Sequence, residues 1–251
     1  MKKRKKNSFP VKPALLLGAA ALLLLSSTVG STRAALTYYS ENYAAQVSMS
    51  SIGVTLLENG ERVSSRDYRD DGEWSETRGE LLTNMLGEGE KFTPGKSYQE
   101  KLSVENSGNI DAFVRVIITK SWQDAGGNKA TELDPELIQL ELTEGSGWVR
   151  HDGEDYSPER MVFYYTEALA PGTVTGFLSD NIRIDPAIAK DVTVVTQDDG
   201  TTRYEYTYNG YKFCLEAEVD AVQMHNAEDA IKSAWGVDVT VSDDGRAITL
   251  N

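Results

Sequence analysis

The stretch AFVRVIIT, residues 112–119, decides the fold class. Its side chains are mostly β-branched or aromatic, and the run is too short and too poor in helix signals to be a helix. Arg115 interrupts the run, and because a charge buried alone is very costly, this side chain must reach solvent or an acidic partner. We therefore predict that the stretch is a central strand of a β-sheet.

Shorter strand patterns lie on both sides of this stretch. Apolar residues alternate over residues 43–56 with a change of phase near residues 50–51, which is typical of a half-buried strand with a bulge. Three tyrosines alternate over residues 204–208 and lead into Asn-Gly, a dipeptide that favours a tight hairpin turn. Because the alternation continues beyond the turn, residues 202–223 are predicted to form one antiparallel hairpin with one apolar face.

The remaining segments support an all-β chain. Residues 58–91 are polar and rich in glycine apart from one short apolar patch, so they are interpreted as a long surface loop with one short helix. Roughly eight to ten short strands occur at intervals typical of β-sandwiches, with one or two short helices. A length of 251 residues allows one large all-β domain or two small ones. The interpretation that we adopt is a single antiparallel β-sandwich domain over residues 35–251.

The N-terminal segment has the pattern of a signal peptide. Basic side chains are concentrated in residues 2–12, ahead of the apolar run at residues 14–25. This run is shorter than the ~20 residues that a helix needs to cross a membrane, which favours a cleaved leader over a permanent anchor. Small residues follow the run, as a signal peptidase requires. We predict cleavage between Ala34 and Ala35, so that residues 1–34 are removed.

The net charge of the chain limits the classes of molecule that it can bind. The leader holds seven of the 25 basic residues and none of the 39 acidic ones, so the mature chain would carry 18 basic and 39 acidic residues. Such an acidic surface repels nucleic acid and anionic lipid, so membrane contact is expected only through an uncleaved signal peptide. Cys214 is the only cysteine, which excludes an intramolecular disulfide. The chain is expected to be secreted and to reside outside the cell, at its surface or in a matrix.

Four segments, taken in order, carry a resemblance. The leader ends in GSTRAA at residues 30–35, and residues 94–116 contain Pro-Gly followed by V-x-N-x-G-x-x-D-A-x-V-R. Residues 148–175 contain a tryptophan, a tyrosine pair and L-x-P-G-x-x-T, and residues 218–236 end in Trp-Gly. Together they resemble the TasA/camelysin group of exported proteins, which have a SipW-dependent type of signal peptide. The resemblance implies a jelly-roll-like antiparallel β-sandwich, secretion through a dedicated signal peptidase and, in some members, assembly into surface or biofilm-matrix fibres.

Catalytic chemistry has little support. Zinc peptidases of the zincin type need two histidines one helical turn apart, whereas the two histidines here, His151 and His225, are far apart in sequence. His151 is interpreted as part of an exposed turn, and His225 as a capping or packing residue before a short helix. Cys214 falls on a predicted strand and is interpreted as a small packed side chain. We therefore predict no catalytic residue, no cofactor and no enzyme activity.

Two surface features leave binding open. Carboxylates cluster over residues 67–73 and could ligate calcium, although no EF-hand pattern is present and no metal site is predicted. Tyr204, Tyr206, Tyr208 and Tyr211 could bind a carbohydrate or a protein, because tyrosine combines a flat apolar ring with a polar tip. Packing against a sheet is the favoured interpretation of these tyrosines.

The leading functional hypothesis is a structural protein that assembles into fibres by donating its N-terminal strand to a second copy. The processing site lies close to the first strand pattern, so cleavage would free that segment. Its partners would be copies of itself or other surface and matrix proteins, together with the signal peptidase during export. The alternative is a monomeric surface adhesin or ligand-binding module, and a secreted hydrolase is a third class. The residues of the possible donor strand are Leu36, Tyr38, Tyr43, Ala45, Val47 and Met49.

Overall fold

The computed structural model describes residues 51–68, 73–151, 157–197 and 202–251. The predicted cleavage site and donor strand lie outside these residues. The described part contains one α-helix, α1 (Ala227–Trp235), and short 3-10 turns at Pro135–Leu137 and Pro186–Ala189. Its strands are β1 (Gly53–Glu58), β2 (Glu61–Tyr68), β3 (Trp74–Thr77), β4 (Ser97–Gln99), β5 (Leu102–Asn106), β6 (Ala112–Gln123), β7 (Ile138–Leu142), β8 (Trp148–His151), β9 (Arg160–Tyr165), β10 (Ser179–Ile184), β11 (Val192–Thr196), β12 (Thr202–Tyr206), β13 (Lys212–Gln223), β14 (Val239–Val241) and β15 (Ile248–Leu250).

The first layer joins two antiparallel sheets, with strand orders β3-β2-β1-β5 and β4-β10-β7. β4 and β5 follow each other along the chain and are separated only by Glu100 and Lys101. Beside β5, the Thr175 N–H donates to the Val104 carbonyl and the Leu178 N–H to the Leu102 carbonyl. The chain then continues into β10, so the two sheets meet in one continuous layer.

The second layer is the antiparallel sheet β13-β6-β9-β8. β6 lies between β13 and β9, which confirms the prediction that residues 112–119 form a central strand. Arg115 finds the acidic partner that its position demands, because its Nη2 lies 2.8 Å from Oδ2 of Asp220 on β13.

The main core lies between the two layers. Side chains that point inward from β6 pack with the apolar faces of β1, β5 and β10, because residues two apart on a strand share a face. This arrangement confirms the prediction of an all-β antiparallel sandwich. The fully or almost fully buried members include Leu56, Leu102, Val104, Val114, Val116, Ile118, Phe163 and Ile182.

A smaller core covers the outer face of the second layer. Phe113 points away from the main core and packs with Ile231 of α1 and Ile248 of β15. α1 ends at Gly236, whose φ of 75° suits a glycine in the left-handed region. The first half of β6 is thus covered on both faces, which explains why residues 112–118 are apolar except for Arg115.

Two sequence interpretations are wrong. Residues 58–91 are not one loop, because β2 and β3 lie within them, and residues 81–86 form turns rather than a helix. The polar composition misled because β2 and β3 are half-buried or exposed along their length. Residues 202–223 are not one hairpin: β12 pairs with β11, whereas β13 pairs with β6 over its whole length. The alternating pattern identified both strands but carried no information about their partners.

Candidate functional site

β13 is an edge strand of the second layer. At every second residue its N–H and carbonyl groups point away from β6. The N–H and carbonyl of Ala112 bond with Leu169, and the N–H of Lys120 bonds with Glu159, on the side of β6 away from β13. In an antiparallel ladder both groups of a residue point to the same side, so the odd-numbered residues of β6 bond to β13. Along the whole pairing, each odd-numbered residue of β6 stands opposite an even-numbered residue of β13. The even-numbered residues of β13 therefore make the hydrogen bonds to β6. The odd-numbered residues of β13, from Phe213 to Ala221, therefore direct their N–H and carbonyl groups to the other edge.

This edge has no strand partner among the described residues. Next to it lies a groove of about 1020 Å³, hereafter the β13 groove, which separates β13 from β2 and the turn after β3. It is lined by residues 212–219 of β13, Val54 and Leu56 of β1, residues 63–66 of β2, and residues 76–82.

The floor of the β13 groove is apolar and its rim is charged. Val54 and Leu56 from the first layer and Leu215 from β13 are buried there, while Ala217 and Val219 are half-buried. The charged lining residues are Arg66, Glu76, Arg78, Glu80, Lys212, Glu216 and Glu218. An apolar floor with a polar rim fits a segment whose side chains alternate between apolar and polar.

A network of two arginines ties the two layers together beside β13. Asp220 on β13 lies between Arg115 of the second layer and Arg66 of the first, whose Nη1 is 3.4 Å from its Oδ1. Arg66 also pairs with Glu76 at 3.2 Å and stacks over the Trp74 ring at 4.9 Å from its centroid. These contacts fix the position of β2 and β3 opposite β13.

A buried pair of carboxyl groups lies at the C-terminal end of β1. Glu100, between β4 and β5, is fully buried, and Glu58 at the end of β1 is almost fully buried. Burial, and secondly the charge of Glu58, raises the pKa of Glu100 to about 8. Glu58 Oε1 accepts a hydrogen bond of 2.6 Å from the N–H of Leu82, a residue that lines the β13 groove. Nothing in the sequence marked these two glutamates.

The residues singled out for catalysis occupy separate structural positions. His151 ends β8 and packs edge-on against Tyr164, with ring centroids 6.0 Å apart. His225 precedes α1 and lines a cavity of about 390 Å³ with Met224 and Asn226. Cys214 lies half-buried on β13 as predicted, and burial raises the pKa of its thiol.

Residues that are close in sequence in the acidic cluster and in the tyrosine cluster have different environments in the structure. Asp67 accepts a hydrogen bond from Ser107, and the sequence cluster around it extends into residues 69–72, which lie outside the described residues. Tyr208 packs on Trp122 at 4.9 Å between centroids, whereas Tyr204 and Tyr206 are 61% and 52% exposed. Packing is thus the role of Tyr208 but not of the two exposed tyrosines. Across the described ranges, no set of three or more His, Cys, Asp or Glu side chains is grouped so as to hold a metal ion.

The Asn in the V-x-N-x-G pattern has a structural role. Asn106 is fully buried, and its Nδ2 donates to the carbonyls of Ile110 at 2.8 Å and Leu169 at 2.7 Å. Its Oδ1 accepts from the N–H of Gly108 at 2.9 Å. These bonds join the turn after β5 to the segment that follows β9.

None of the helices in the described part of the chain is both long and apolar enough to span a membrane. No protein-family model matches this chain, and no curated protein matches it significantly.

Proposed function

We propose that this chain is a secreted structural protein of the cell surface or extracellular matrix that assembles by accepting the N-terminal strand of a second copy in the β13 groove. The observation that carries the proposal is the outward-facing main chain of β13 beside an apolar floor. A sheet edge of this kind gives affinity through main-chain hydrogen bonds, and the side-chain positions next to it give specificity.

The sequence of residues 42–49, NYAAQVSM, suits the β13 groove. Tyr43, Ala45, Val47 and Met49 alternate with smaller or polar residues, so one face of an added strand would be apolar. None of residues 42–49 is charged, so the segment would meet little repulsion from a strongly acidic partner. Residues 43–49 would span about 20 Å when extended, against about 26 Å from Phe213 to Ala221.

Donation of a strand to the next copy is a head-to-tail contact, and such contacts continue into open filaments when the rotation between copies does not close a ring. The similarity of four sequence segments to the TasA/camelysin group supports the same proposal, because some members of that group form fibres. The role proposed is mechanical and non-catalytic, with copies of the same chain as the main partner.

The test compares a chain that begins at Ala35 with a chain that begins at Ser50, by size-exclusion chromatography and negative-stain electron microscopy. We expect filaments or a ladder of oligomers from the first chain and a folded monomer from the second. A synthetic peptide of residues 35–49 should bind the shorter chain in a 1:1 complex, and a Val47→Asp peptide is the matched control because it places a charge over the apolar floor. Filaments that persist without residues 35–49 would contradict the proposal.

A monomeric adhesin is the second candidate, favoured by the exposed face of the β11–β12 hairpin. Val194 pairs with Tyr204, and these two side chains are 56% and 61% exposed beside Tyr206. Exposed aromatic rings on a projecting hairpin can stack on sugars or on an apolar protein surface. A glycan-array signal that disappears in the Tyr204→Ser variant, from a chain that stays monomeric, would favour this candidate.

A further inference from the structure

Within the described residues no N–H or hydroxyl group donates to the Glu100 carboxyl, and its side-chain hydrogen-bond partner is the Glu58 carboxyl. Both of its carboxyl oxygens are buried without a donor partner, while its main-chain N–H bonds to Asp180 and its carbonyl accepts from the Ser179 hydroxyl. The charged group that acts on the Glu100 carboxyl is Glu58 of β1, while β10 contributes the Asp180 carbonyl and the Ser179 hydroxyl to the Glu100 main chain. Two carboxyl groups in one buried site cannot both be ionised at low cost, so the pair is stable when it holds one proton.

Glu58, the second carboxyl group of the pair, also contacts the wall of the β13 groove. Glu58 accepts from the N–H of Leu82, and Leu81 and Leu82 both line the groove. Leu82 has a φ of 65°, a left-handed backbone conformation that is unfavourable for a leucine. This conformation is therefore maintained by its surroundings, which include the bond from its N–H to Glu58 and the bond from the Met85 N–H to its carbonyl.

We propose that Glu58 and Glu100 form a proton-dependent latch, which holds residues 79–86 against β1 while the pair shares one proton and releases them when that proton passes to solvent. Loss of the proton leaves two negative charges in contact, and the repulsion is relieved when Glu58 moves outward with the turn that it holds. The pKa of Glu100 near 8 places this change in mildly alkaline solution. The consequence for assembly rests on the proposed function, because release removes one wall of the groove that would receive the strand.

The first test measures amide hydrogen exchange of residues 79–86 in the chain that begins at Ala35, at pH 7 and pH 9, after correction for the intrinsic exchange rate. We expect protection of the Leu82 amide to fall about tenfold in total between pH 7 and pH 9, because the dependence of one proton per molecule holds only below the Glu100 pKa of about 8 and levels off above it. The Glu100→Gln variant should keep its protection, because the amide of glutamine donates to Glu58 and does not titrate. Glu88→Gln, an exposed change in the same region, is the matched control and should behave like the parent chain. Equal protection at both pH values in the parent chain would overturn the latch.

The second test measures the mass of filament formed at pH 7 and pH 9. We expect less filament at pH 9 from the parent chain and no such loss from Glu100→Gln. If exchange responds to pH but filament mass does not, the latch does not control the groove, and that part of the proposal is overturned. If no filament forms at either pH, the proposed function fails, while the exchange experiment still decides the latch.

Discussion

Asn106 shows how one side chain can hold the end of a sandwich. Its buried side chain donates to the carbonyls of Ile110 and Leu169 and accepts from the N–H of Gly108. Its place in the V-x-N-x-G pattern is thus explained by folding, with no need for a binding role. This motif therefore contributes to the stability of the fold.

Replacement of Asn106 by alanine should lower the free energy of unfolding by about 2–4 kcal/mol, because a buried side chain loses three hydrogen bonds that each contribute about 0.5–1.5 kcal/mol. Urea denaturation of the two chains measures this difference. Asn209→Ala, in an exposed turn, is the control and should change stability by less than about 0.5 kcal/mol. Equal effects at the two positions would show that the hydrogen bonds of Asn106 contribute little.

Glu100 should make folding depend on pH. Its pKa is about 8 in the folded chain against an ordinary value of 4.5, so between these pH values the folded state holds a proton that the unfolded state has lost. Stability must therefore fall as the pH rises from about 4.5 to about 8, and this loss is absent in Glu100→Gln. The variant should melt at a higher temperature than the parent chain at pH 8, with a smaller gain at pH 5. A gain that is the same at both pH values would contradict this account.

At the scale of the element, β13 combines two functions in alternate residues. The even-numbered residues hold the strand to β6, and the odd-numbered residues present their main chain to the groove. Side chains follow the same alternation, since Leu215, Ala217 and Val219 belong to the main core. One strand therefore forms part of the core and, in the proposed assembly, also provides the docking edge.

Proline substitution can separate these two functions. Ala217→Pro removes an N–H that β6 does not use, so the monomer should remain folded while strand addition is blocked. Glu216→Pro removes an N–H that bonds to Thr119 across the ladder, and it should destabilise the monomer itself. Circular dichroism and filament yield are measured for both variants. Filaments from folded Ala217→Pro would argue against assembly at β13.

The sequence predicted which segments are strands better than it predicted which strands pair with each other. Residues 112–119 were assigned correctly because a buried central strand is apolar on both faces, which is a local property. The pairing of β12 and β13 was wrong because partner choice depends on distant surfaces, here the matching face of β6. The β13 groove and the Glu58–Glu100 pair could not be predicted at all, since each arises only when segments far apart in sequence meet.

At the scale of the whole molecule, net charge would oppose the proposed assembly. The mature chain would carry 39 acidic and 18 basic residues, so copies repel one another at low ionic strength. Strand addition must overcome this repulsion with main-chain bonds and apolar contacts, neither of which is weakened by moderate salt. Assembly of this chain should therefore respond to salt in the direction opposite to that of an interface built from ion pairs.

Filaments should begin to form at a lower protein concentration in about 300 mM NaCl than in about 20 mM NaCl, because the Debye length falls well below the size of the molecule. Sedimentation of filaments across a concentration series measures the threshold. Calcium chloride at matched ionic strength is the control, and a threshold far lower than in NaCl would indicate a specific calcium site. Dissolution of filaments by NaCl would contradict the charge argument.

The position of the single cysteine gives the chain an internal label. Cys214 lies half-buried on β13 and lines the groove, so a strand seated there would shield the thiol from a reactive dye. In a filament built by donation, each groove would be filled except the one at the terminal copy. The fraction of subunits that a fluorescent maleimide labels would then count filament ends, and its reciprocal would give the mean number of subunits per filament.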